Sequence, residues 1–103
     1  MIMHLVEIFL PLADNQGRAF PKEKYAEIRD ALAKAFGGVT AFTRYPAEGA
    51  VREGGRTVHD DIVVFEVMTE TLDHDWWANH RRSLEHEFDQ DEILIRATRI
   101  ERL

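Results

Sequence analysis

The sequence contains no cysteine, which excludes disulfides, thiolate metal sites and cysteine nucleophiles together. It has no block of lysine or arginine, and its formal charge is −6 with a pI of about 5.3. That field repels polyanions, so nucleic acid is not expected as a partner. No apolar run approaches the roughly 20 residues of a membrane-spanning helix. The opening "MIMHLVEIFLPL" carries Glu7 in its middle and lacks the basic flank of a secretory leader. It reads as a strand of a cytoplasmic protein. Proline occurs three times, and Pro11, Pro21 and Pro46 each stand where one pattern gives way to the next.

What is present is an ordinary globular balance, 45% hydrophobic and 31% charged, unlike that of a disordered chain. The length of 103 residues is expected to give a single domain over 1–103. A chain of this size buries only about two-thirds of its extended surface, so self-association would help complete its core.

Ile2 to Leu10 is β-branched and apolar, ended by Pro11 and the turn set "ADNQG". From Pro21 the period changes: Tyr25, Ile28, Leu32, Ala35 and Phe36 fall on one helical stripe. Pro21 suits a first helical turn, and Gly37-Gly38 is a stop signal. "VTAFTRYP" reads as a short strand, residues 46–59 as a long loop or extended hairpin tip, and "DIVVFEVM" as a strand. Asp73 is the expected cap for a second helix running to about Gln90, and "EILIRATRI" is a closing strand. The order β-α-β-β-α-β predicts an α+β, ferredoxin-like fold. Its antiparallel four-stranded sheet would have order 4-1-3-2, with both helices on one face.

A sheet covered on one side only should alternate apolar and polar residues. Here the second faces are also largely apolar: Met3, Leu5 and Phe9 with Glu7; Ile62, Val64 and Met68 with Glu66; Leu94 and Ile100 with Arg96. Such a surface predicts an interface, most simply a homodimer pairing two sheets face to face.

This order, length and two-sidedness, with the stretches "FGGVTAFTRYPAEG", "EVM", "WW" and "QDEILIRA", resemble the dimeric α/β-barrel superfamily over the whole chain. More narrowly, they resemble a group of small uncharacterised bacterial proteins. The superfamily hosts cofactor-free monooxygenases, haem-binding and haem-degrading proteins, isomerases and stress-response proteins, so the resemblance implies a fold and leaves the chemistry open. Haem-degrading members use a second-helix histidine, matched here by His80, with an asparagine on the first strand and a tryptophan on the third. Glu7 and Phe65 stand there instead, so haem is not expected.

The strand order predicts a charged row across the second face, reading Arg96, Glu7, Glu66, Arg44. Paired, it would fix dimer register; around a cavity, one glutamate could serve as a general base and an arginine as an anion clamp. On the second helix, Trp77, Leu84 and Phe88 form a core stripe, and Arg81 can pair with Glu85. His74, His80 and His86 are spaced six apart, about 120° off a common face, so no helix-borne metal site is expected. His59-Asp60-Asp61 reads as an exposed turn. Trp76 is expected half-exposed, as a pocket rim or packed beneath the 46–59 segment.

Two functions follow. One is a homodimer binding a small molecule in a barrel or helix–sheet pocket, without a cofactor, with proton-transfer or monooxygenase-like chemistry as one option. Its candidate catalytic groups are Glu7, Glu66 and His80; its candidate ligand contacts are Arg44, Tyr45, Trp76, Arg81 and Arg96. The other is a non-catalytic assembly dimer whose buried charges specify pairing. The residue set does not decide between enzyme and binder.

Overall fold

A computed structural model describes residues 2–44, 50–53, 56–59 and 62–103, with side chains over 2–42 and 62–103. The elements in order are β1 (Ile2–Pro11), α1 (Lys22–Phe36), β2 (Thr40–Arg44), β3 (Ala50–Glu53), β4 (Arg56–His59), β5 (Ile62–Thr69), α2 (His74–Glu87) and β6 (Ile95–Glu101). The main sheet has spatial order β2-β5-β1-β6 and is antiparallel throughout. With the small β3–β4 ribbon set aside, this is the expected β-α-β-β-α-β arrangement. The ribbon pairs Ala50 with His59 and Glu53 with Arg56, so the long 46–59 connection contains a two-stranded extension. Among the described residues, no helix is long and apolar enough to cross a membrane.

Strand alternation decides which side chains meet the helices. Val6, Ile8 and Leu10 of β1 stand opposite Val67, Phe65 and Val63 of β5, and all six are buried in one cluster. Ile28 and Leu32 of α1 and Trp77 and Leu84 of α2 close that cluster from above, with Phe88 just beyond α2. The helices therefore share one face of the sheet. Phe88 anchors the far end, edge-on to Phe20 at 4.9 Å and tilted against Tyr25 at 5.7 Å. The Tyr25 hydroxyl donates to the Pro11 carbonyl at 2.6 Å, tying α1 to the end of β1. Burial pushes this hydroxyl's pKa up to about 12.

The helix ends follow local chemistry. Pro21 stands just outside α1, at the cap rather than in the first turn. Gly37 terminates the helix with φ 79°, donating its N–H to the Ala33 carbonyl, a conformation open to glycine because it has no Cβ. Asp73 caps α2, its carboxylate accepting the Trp76 N–H at 3.1 Å. The second helix ends at Glu87, short of Gln90, because Asp89 turns left-handed at φ 50°. The closing strand begins at Ile95 rather than Glu92. Ahead of it, buried Ile93 donates its N–H to the Glu85 carboxylate at 3.0 Å.

Phe88 is fully buried in the core cluster, so Phe88→Ala should cost about 3–5 kcal/mol of folding free energy. A urea titration reads this directly. A loss below about 1 kcal/mol would show that Phe88 is not an anchor of the core.

Candidate functional site

The face of the sheet turned away from the helices carries the charged row. Glu7 stands opposite Glu66 on one side and Arg96 on the other. Glu7 is only 8% exposed, yet its Oε1 accepts the Arg96 Nε–H at 2.9 Å. The Arg96 guanidinium also lies over the Phe9 ring, 4.9 Å from its centroid, a cation–π contact on the same face. Glu66 is half-buried, with no cation beside it among the described residues. The register corrects the fourth place in the row. Thr40, not Arg44, stands opposite Glu66, and Arg44 stands opposite Ile62. Four residues along a strand is about 13 Å, too far for Arg44 to flank Glu66 across the ladder.

Around these charges the face is apolar. Val64, in register between Phe9 and Phe42, is fully buried, and Met3 is buried; neither belongs to the main core cluster. Phe42, Met68 and Leu94 on this face are exposed.

A second constellation lies on the helix side. The antiparallel sheet and its two crossovers bring the C-terminal end of α1 beside the N-terminal end of α2. Phe36 there stacks on Trp77 at 5.2 Å and 13°, and meets Trp76 nearly at right angles at 5.2 Å. Trp76 and Trp77 are themselves perpendicular, 4.7 Å apart. Together with Ala35, Thr71 and Asp73, these rings line an open cleft of about 220 Å³. Trp77 is a buried wall, whereas Trp76 keeps 37% of its surface exposed. The turn leading into the cleft is held by the Thr69 hydroxyl, which donates to the Thr71 carbonyl at 2.9 Å.

Behind the cleft, His80 stacks on Trp76 at 4.8 Å and 17° and meets Trp77 edge-on at 5.8 Å. Its Nε2 is buried without a hydrogen-bond partner. Burial pushes the His80 pKa below its ordinary 6.5, partly opposed by the negative charge of Glu87. The imidazole is therefore neutral at neutral pH, a flat polar ring filling space beneath an indole.

The sheet separates the expected catalytic groups. Glu7 and Glu66 lie on its open face, while His80 lies in the helix layer on the other. Arg96 joins the glutamates, and Trp76 joins His80. Arg81 pairs with Glu85 at 3.9 Å and does not line the cleft. Tyr45 lies outside the described residues, as do Asp60 and Asp61 of the His59-Asp60-Asp61 turn, and Arg44 is described by its backbone alone. Sequence reasoning placed Trp77 in the core but did not foresee Phe36, Thr71 and Asp73 as cleft walls. The available signal was an aromatic residue ending one helix and a tryptophan pair opening the next.

The chain matches no protein-family model and no curated protein. Among solved structures it is similar to a phage SAM lyase in complex with S-methyl-5'-thioadenosine. The TM-score is 0.64 at 14% identity, over 93% of this chain and 80% of that one. At that identity the likeness is one of fold.

His80 makes stability depend on pH in a definite direction. Above 6.5, the ordinary histidine value, the folded and unfolded chains both carry it neutral. As pH falls, the unfolded chain takes up the proton first, so stability is lost until the depressed folded pKa is passed. His80→Phe should flatten this part of the stability–pH curve, measured by chemical denaturation at several pH values between about 7.5 and 5. An unchanged slope would assign the acid sensitivity to other groups.

Proposed function

We propose that the protein is a small-molecule binder that pairs as a homodimer through the open face of its sheet, with the ligand seated in the aromatic cleft between the helix ends. The observation that carries this reading is the cleft. Three aromatic rings from two helices form its walls, with one hydroxyl and one carboxylate as polar groups, the usual make-up of a ligand site. Its volume of about 220 Å³ suits a compact ligand. The neighbouring structure was solved with a small molecule bound, which supports the use of this fold around small ligands. Pairing is supported by the apolar open face, where Phe42, Met68 and Leu94 are exposed around the buried Glu7 carboxylate. A stable interface needs about 800 Å² from each partner, and a whole face of a four-stranded sheet is of that order.

The reading is one of binding. The sheet lies between Glu7 or Glu66 and the cleft, and His80 stands behind Trp76 rather than among the lining residues. A second reading, an assembly dimer with no ligand, is favoured by one observation: the buried Glu7 carboxylate is already paired with Arg96. In that case the charges specify register and nothing more.

Both tryptophans of the chain line the cleft, so all intrinsic indole emission reports on it. Titrating a set of compact heteroaromatic and aliphatic fragments should quench or shift that emission, and Trp76→Leu should remove the response. A full set with no response would sink the binding reading. Light scattering should give twice the chain mass, and Met68→Glu should yield folded monomers. Monomeric native protein would refute the pairing. Fragment binding separates the two readings, and Glu7→Gln tests the charge row: folded dimers that still bind fragments assign it to neither site nor interface, and loss of dimers alone assigns it to pairing.

A further inference from the structure

Resting on that reading, we infer that the cleft between Phe36, Trp76 and Trp77 selects a small organic cation, such as a quaternary ammonium or sulfonium group, over a neutral molecule of the same shape. The electrostatics of its walls point one way. Aromatic rings carry negative potential on their faces and attract cations placed over them. Phe36 and Trp77 cover a face of each other and His80 covers one face of Trp76, so the ring surface left to a cation is that of half-exposed Trp76, beside the Asp73 carboxylate that also lines the cleft. The only charged side chain among its lining residues is Asp73. One of its carboxylate oxygens accepts the Trp76 backbone N–H, and the other has no hydrogen bond among the described residues.

Two neighbouring features could have favoured an anion instead, and both are answered. The N-terminus of α2 attracts negative charge, but Asp73 caps it and Asp75 follows in the first turn. His80 stacks on Trp76 and would repel a cation if protonated, but its burial keeps it neutral. At longer range, the net charge of −6 draws cations toward the surface and repels anions. The open cleft of about 220 Å³ accommodates a trimethylammonium-sized head with water beside it.

The experiment compares choline with 3,3-dimethylbutan-1-ol, which replaces the cationic nitrogen by carbon at nearly the same shape. The full chain is titrated with each while the two indole N–H resonances are followed by NMR. Choline should shift the Trp76 signal and bind at least about tenfold more tightly than the alcohol. Asp73→Asn keeps a helix-capping side chain and should weaken choline several-fold while leaving the alcohol unchanged. Trp76→Leu should abolish both. Equal affinity for the two probes, or Asp73→Asn leaving choline unaffected, would overturn cation selection; so would an absence of choline binding. In each of these cases, a response to neutral fragments would leave the binding reading standing. Silence toward choline and the whole fragment set would overturn both.

Discussion

The position of β1 between β5 and β6 is the constraint on which the other placements depend. Its register with both neighbours sets Val6, Ile8 and Leu10 beneath the helices and Glu7 on the opposite face. A slip of one residue would invert every side chain of the strand. It would push a carboxylate into the apolar cluster and turn Ile8, fully buried as placed, toward the other side. The Arg96–Glu7 bond at 2.9 Å holds the same register from the far face. With β1 fixed, the crossovers through α1 and α2 have one favoured hand. The end of α1 must then arrive beside the start of α2.

The sheet thereby acts as a partition. On one side, a buried carboxylate meets a half-exposed arginine among apolar side chains; on the other, three aromatic rings meet at the open end of the helix pair. An ion pair with its cation half exposed contributes little net stability, but a buried carboxylate left without its partner is costly. The Glu7–Arg96 pair therefore acts mainly against wrong registers. Its energetic effect lies in what it forbids. The aromatic end works by contact area and ring geometry, so the two sides can vary independently as long as β1 stays in register.

Much of this was legible in the sequence. The strand and helix periods, Gly37 as a stop and Asp73 as a cap are local signals, and each depends on neighbours a few residues away. The pairing of Glu7 with Arg96 was also within reach, because both strands are long enough to fix their alternation and topology sets them side by side. Arg44 shows where this fails. Among the described residues the five-residue strand β2 pairs with β5 alone, and sliding it by two residues, or by the four that separate Arg44 from Thr40, preserves every face while moving it about 7 or 13 Å. Its own pattern could not choose between Arg44 and Thr40 as the neighbour of Glu66. The cleft was hidden for another reason. A helical wheel places Trp76 beside the core stripe of its own helix, but Phe36 is 40 positions away and enters only once the two helices are set antiparallel.

His80 ties the cleft to the stability of the fold. Its ring is both the floor under Trp76 and a buried titrating group. The burial that depresses its pKa comes from the same packing that positions the indole. Protonation must therefore act on both: it costs folding free energy, and it places positive charge directly behind a cleft wall. Coupling of this kind is reciprocal. A cation held against Trp76 would make His80 harder still to protonate, and a neutral occupant would not. The direction in which the His80 pKa moves on binding thus carries the sign of the ligand's charge.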